Sequence, residues 1–345
     1  MLTGDTVTGF AQDAAMQKTC LSLLWLGIAT LSAQSSPPNP VIRVPARLVT
    51  VPTLVFSKDG HLIPGLQKTD FRVFDNGQVQ ATALDTAYAP VSVVLAIQQN
   101  RDVRDYVPFI RKAGAAIETL LLGESSEAAV IGYSDDLTTL KAFETGDVQS
   151  ALRDLPAGGK RARMIDAGMR AIALLQARPR ARTRILILIG QSMDSGSESM
   201  LSTLKEQAER ENVAIYALAL PEFGKAFVSD TFSLQAAPSG QRGGFQAGVD
   251  LGNLVSVLGR KSKMNAATDP FSVLTTATGG TQIHFRKQNE FEHAIAAIGE
   301  ALRSAYVLSF APGSTETGYH AIKVEVDVRG AKTYSRAGYW LGPNF

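Results

Sequence analysis

Apolar and polar positions along the chain follow two different rhythms. Near both ends they alternate; through the middle, continuous apolar runs take turns with stretches of helical spacing. The segment 41–56 is rich in β-branched residues, and Lys58-Asp59-Gly60 supplies the positive-φ residue of a hairpin turn, so a second strand is expected over 61–66. Phe71-Arg72-Val73-Phe74 alternates strictly and stops at Asp75-Asn76-Gly77, another turn signal. From Pro90 the pattern changes. The runs 92–97, 128–133, 184–189 and 213–220 are continuously apolar after Ser92 and Arg184 at two of their starts, as expected of strands buried on both faces of a parallel sheet. Helical spacing over 107–122, 148–155, 164–175 and 200–212 falls between them. The alternation lapses over 222–268, where Pro238-Ser239-Gly240-Gln241-Arg242-Gly243-Gly244 offers no packing face, and a long excursion is expected. It resumes with a helix over 271–277, a Gly279-Gly280 stop, a strand over 282–285 and a helix over 290–303. Three strands, 306–310, 321–328 and 333–339, close the chain, with Gly313 and Gly330 at turns.

The predicted fold class is α/β, a doubly wound, mostly parallel sheet. Neither terminal β segment can bury a core alone, so the two are expected to form one small sandwich into which the α/β domain is inserted; two separate hairpins packed on that domain are the alternative. The predicted boundaries are a leader over 1–33, a linker over 34–40, β segments over 41–88 and 304–345, and the α/β domain over 89–303 with its insertion at 222–268.

The leader is read from an apolar run over 21–31 that follows Lys18 and ends in Ser32 and Ala33 before the proline-rich linker. It is too short to span a bilayer stably, which takes about 20 apolar residues. Asp5 and Asp13 are foreign to a leader's basic start, so Met16 is the expected initiator and Ala33 the expected cleavage point. An exported protein, periplasmic or extracellular, is therefore expected, with no membrane span after cleavage. Cys20, the single cysteine, lies within the leader, so disulfides and thiolate chemistry drop out of the mature chain. With 345 residues, 45% hydrophobic and 19% charged, the chain is ordinary globular protein, and a net charge of +2 advertises neither nucleic acid nor an anionic membrane.

Enzymatic constellations are missing. His61, His284, His293 and His320 share no ligand spacing. Asp135-Asp136 at a strand end reads as a solvated turn more readily than as an acid/base pair. Ser192 and Ser195 lack the second glycine of a nucleophile elbow. Gly158-Gly159-Lys160 lacks the first glycine and the hydroxyl residue of a phosphate loop.

Several phrases instead resemble one family. Val55-Phe56-Ser57-Lys58-Asp59-Gly60, Ile63-Pro64-Gly65-Leu66 and Thr69-Asp70-Phe71-Arg72-Val73-Phe74-Asp75-Asn76-Gly77-Gln78 resemble the opening of the von Willebrand factor type A (vWA) related proteins of acidobacteria. Thr278-Gly279-Gly280, Leu302-Arg303-Ser304-Ala305-Tyr306-Val307-Leu308 and Ser335-Arg336-Ala337-Gly338-Tyr339 resemble that family's last helix and terminal strands. The resemblance implies a vWA-like sheet and, at its C-terminal edge, a metal-ion-dependent adhesion site. There an Asp-x-Ser-x-Ser loop, a threonine and an aspartate hold a hard divalent cation through oxygen atoms, and a ligand carboxylate completes the shell.

Mapped onto this chain, Gln98, Asn100 and Asp102 stand where aspartate, serine and serine are expected; Ala162 stands for the threonine, and Gly190 or its neighbour for the aspartate. Each loop thus lacks a ligand, and Arg101, Lys160, Arg161 and Arg163 bring positive charge that opposes a cation. No cofactor and no magnesium are expected. The expected function is a non-enzymatic adhesion or scaffolding module that binds another protein, one with acidic groups, through Asn100, Arg101, Asp102, Arg161, Arg163, Asp194 and Ser195. The alternative is a metal-dependent receptor or hydrolase with non-standard ligands Asp102, Asp194 and Asp135.

Overall fold

The computed structural model describes residues 48–85, 90–122, 125–221 and 269–342, all within one compact unit spanning Ala46–Phe345. The expected leader with Cys20, the expected linker and the stretch 222–268 where an excursion is expected lie outside the described residues.

Fourteen described strands form three sheets. The central one contains β5 (Val91–Gln98), β6 (Glu127–Tyr133), β7 (Leu137–Lys141), β8 (Thr183–Gln191), β9 (Val213–Leu220) and β10 (Gln282–His284), in the order β10-β9-β8-β5-β6-β7. Every neighbouring pair is parallel except β6 with β7. The mixed α/β class and the mostly parallel sheet are as the apolar runs predict. Alternation does the sorting on β5: Val91, Val93, Leu95 and Ile97 enter one core, Val94 and Ala96 the other. The first core is covered by α1 (Val107–Lys112), α2 (Gly114–Leu120), α3 (Val148–Arg153) and α7 (Gln288–Ser304), the second by α4 (Met164–Gln176), α5 (Leu201–Arg210) and α6 (Pro270–Thr278).

The remaining strands are β1 (Val49–Phe56), β2 (Phe71–Asp75), β3 (Gln78–Gln80), β4 (Thr82–Asp85), β11 (Tyr306–Phe310), β12 (Gly318–Val326), β13 (Lys332–Ser335) and β14 (Gly338–Leu341). They make two antiparallel sheets, β13-β1-β11-β4 and β14-β12-β2-β3, and each mixes strands from both ends of the chain. A third core draws Val51 and Leu308 from the first of these sheets and Val73, Val324 and Tyr339 from the second.

Three expectations need correction. The stretch 61–66 forms no strand beyond a single bridge between Leu62 and Phe56, since Pro64 has no amide to donate. The helix expected over 107–122 is two, interrupted at Ala113. The strand expected over 333–339 is also two, β13 and β14, which belong to different sheets. Between them Arg336 is buried, its guanidinium donating to the carbonyls of Gly338 (2.7 Å) and Glu209 (2.9 Å) and to the Asn212 side chain. Among the described residues no helix is long and apolar enough to cross a membrane.

Candidate functional site

The loops that follow β5 and β8, and the loop between α3 and α4, meet at one edge of the central sheet, and main-chain hydrogen bonds fasten them together. Gly158 N–H donates to Gln99 O (2.7 Å), Arg101 N–H to Gly159 O (3.1 Å), and Ala162 and Ser195 exchange bonds at 3.2 and 2.9 Å. The Ser195 hydroxyl also accepts from the Ala162 amide at 2.8 Å.

At the centre, polar side chains form a continuous relay. Gln191 N–H donates to Gln98 Oε1 (2.7 Å); Gln98 Nε2 donates to Asn100 Oδ1 (2.9 Å); Asn100 Nδ2 donates to Asp102 Oδ2 (2.9 Å). Gln98, Asn100 and Gln191 are buried, whereas Asp102 emerges at the rim. Each amide donates to the next oxygen, so the relay satisfies itself with no charge at its middle. Room is tight here: a Cβ on Gly190 would lie 2.5 Å from Gln98 Oε1 and 2.6 Å from the Tyr133 hydroxyl. Two buried polar atoms, Tyr133 Oη and Gln99 Nε2, find no hydrogen-bond partner among the described residues. Burial, helped by the charge of Asp194, pushes the Tyr133 hydroxyl pKa well above its ordinary value, so it stays a neutral phenol.

The carboxylates near the edge are engaged separately. Asp135 accepts from the amides of Arg161 (2.9 Å) and Lys160 (3.1 Å), and those bonds hold its pKa below the ordinary value. Asp194 accepts from Ile165 N–H (2.9 Å) in the first turn of α4 and from the Ser197 hydroxyl (2.6 Å). Asp166, buried on α4, accepts from the amides of Glu198 and Ser199, both at 3.0 Å, and pairs with Arg163 at 2.8 Å. Burial raises its pKa, but the two amides and Arg163 outweigh that and leave it lowered. Asp102, Asp135 and Asp194 therefore serve three different sets of partners. Among the described residues no three His, Cys, Asp or Glu side chains converge to hold a metal ion.

Of the basic residues, Arg101, Lys160 and Arg161 are exposed at the rim, while Arg163 is turned inward to Asp166 and to Glu198 (3.3 Å). Met200, at the entry to α5 just after the segment held by Asp166, is 71% exposed, the highest value among the large hydrophobic residues described. Sequence reasoning missed Gln99, Tyr133, Asp166 and Gln191; the only signal for them was position, at or directly after the end of a buried strand or in the first turn of a helix.

The donor set does not fit a magnesium ion. The leading position offers an amide already bonded at both ends, Ala162 has no side-chain oxygen, and Gly190 has neither a side chain nor space for one.

No protein-family model and no curated protein matches the sequence. Among solved structures, the chain is similar to a von Willebrand factor type A protein from Catenulispora acidiphila, at 12% identity over 87% of this chain and 64% of that one, with a TM-score of 0.43. It is also similar to the conserved hypothetical protein BatB from Bacteroides thetaiotaomicron, at 12% identity over 62% of this chain and 100% of that one, with a TM-score of 0.39. An aerotolerance-related membrane protein from Bacteroides fragilis gives 13% identity over 61% of this chain and 98% of that one, with a TM-score of 0.39.

Proposed function

We propose that this chain is an exported, non-enzymatic vWA-related module of the acidobacterial type that holds another protein at the C-terminal edge of its central sheet without a metal ion. The observation that carries the reading is the amide relay from Gln191 through Gln98 and Asn100 to Asp102. A cation site gathers oxygen atoms around a point of positive charge; here every oxygen on the path is met by an N–H donor. Export rests on the leader-like run over 21–31, and family membership on the phrases shared near both ends of the chain.

In this reading Arg101, Asp102 and Arg161 touch the partner, and Arg101 and Arg161 select acidic groups. Asn100, Arg163, Asp194 and Ser195 keep the loops in position through the bonds described above. Met200 adds an adaptable apolar contact beside them. Titration of the full chain with magnesium and manganese, alongside a thermal melt in chelator, tests the metal independence. No saturable heat and an unchanged melting temperature are expected; saturable binding together with a chelator-lowered melting temperature would overturn the reading.

A further inference from the structure

At the opposite edge of the central sheet, where β8 begins, lies a cavity of about 140 Å³. Its walls come from β1, the Arg336 break, β14, the end of α5 and the start of β8. Among the described residues five arginines line it, Arg180, Arg182, Arg184, Arg210 and Arg336, against two glutamates, Glu209 and Glu211.

The lining does not neutralise itself. Arg182 is matched by Glu127 (3.1 Å) and Arg210 by Glu206 (2.6 Å). The Glu209 carboxylate is taken by Lys205 (2.7 Å) and by the Trp340 indole N–H (3.1 Å). That leaves Arg336, 6% exposed, with neutral acceptors only; among the described residues no carboxylate reaches ion-pair distance of it. Arg184, also 6% exposed, spends its two terminal nitrogens on Glu211 and on the carbonyls of Gln176 and Arg178, and its Nε is buried with no partner. Exposed Arg180 forms no ion pair among the described residues. Burial lowers the pKa of Arg336 to about 10, and burial, with the like charge of Arg180 adding to it, lowers that of Arg184. Arg184 has the Glu211 carboxylate at 3.3 Å, but a buried guanidinium without counter-charge, as at Arg336, is unfavourable, and the orphaned N–H of Arg184 adds to the cost.

We propose that this cavity binds a small oxyanion, held by the guanidinium groups of Arg336, Arg184 and Arg180. An oxyanion supplies the missing negative charge, through oxygens that suit the planar donor geometry of guanidinium. Sites for organic ligands of drug size run to roughly 300–1,000 Å³, so this cavity suits phosphate, sulfate or a short carboxylate and not a nucleotide. Because its walls belong both to the flanking sheets and to the α/β body, the bound anion ties them together and stabilises the folded chain.

The test is calorimetric titration and thermal melting of the full chain with inorganic phosphate, sulfate and acetate, each against chloride at equal ionic strength. We expect saturable binding by at least one of the three with a midpoint of about 1 mM or lower, and a melting temperature raised by about 2–4 °C at saturation. Which anion binds identifies the ligand class. Arg180→Glu, at an exposed position, relieves like-charge repulsion on Arg184 and so should not lower the anion-free melting temperature, but should weaken binding at least ~10-fold by reversing one of the charges that hold the anion. Arg184→Lys, which keeps the charge and removes the planar guanidinium, should weaken it as well. The proposal fails if no anion gives a saturable effect beyond chloride, or if Arg180→Glu binds with the wild-type midpoint.

Discussion

Gly190 carries no side chain because Gln98 and Tyr133 occupy the space one would need. With a Cβ placed 2.5 Å from Gln98 Oε1, Gly190→Ala must push the glutamine out of the relay and strand buried amide groups. A loss of about 1–3 kcal/mol in urea unfolding is expected, with no metal affinity gained. Gly190→Asp should cost more still, since a carboxylate enters the same crowded space. At this scale the loops after β5 and β8 were legible because each follows an apolar run, whereas the loop between α3 and α4 has no such run before it. What each side chain holds was not legible: Gln98 and Gln191 meet across 93 positions, and nothing local in either loop announces the other.

Among the elements, the junction of α6 with β9 shows how a short phrase encodes packing. Gly279 takes the left-handed cap of α6 at φ 78°, and the Thr278 hydroxyl accepts from Ile215 N–H (2.9 Å) while donating to Leu274 O (2.8 Å). Gly280 then passes so close to β9 that a Cβ would lie 1.9 Å from the Ile215 carbonyl oxygen. Since main chain cannot step aside as a side chain can, Gly280→Ala is expected to cost about 3 kcal/mol or more, read as a lowered urea midpoint with the slope unchanged. The buried strands and the long helices were legible from periodicity. The break between β13 and β14 was not, because the groups that pin Arg336 there, Asn212 and Glu209, lie more than a hundred residues away in sequence.

For the molecule as a whole, pH dependence should centre on a buried cluster in the β14-β12-β2-β3 sheet. His320 Nδ1 lies 3.0 Å from Asp75 Oδ1, its Nε2 lies 2.9 Å from the Glu316 carbonyl, and the Tyr339 hydroxyl donates to Asp75 Oδ2 at 2.8 Å. Burial alone would lower the His320 pKa; the Glu316 carbonyl and the Asp75 carboxylate outweigh it and raise it above 6.5. A raised folded-state pKa means that the stabilisation is complete below 6.5 and fades as pH climbs through the folded value. Melting temperatures of wild type and His320→Asn should therefore differ more at about pH 5.5 than at about pH 8.5. An equal difference at both would show that the imidazolium contributes nothing.

The pairing of strands from the two ends of the chain also sets a schedule. During synthesis β1 and β2 emerge first, yet their partners β11 and β12 emerge only after the entire α/β body. Through that interval the early strands keep bare edges, the state in which chains most readily stick to one another. The α/β body, whose strands pair mostly with near neighbours, can complete itself in the meantime and carry the late strands back to the waiting ones.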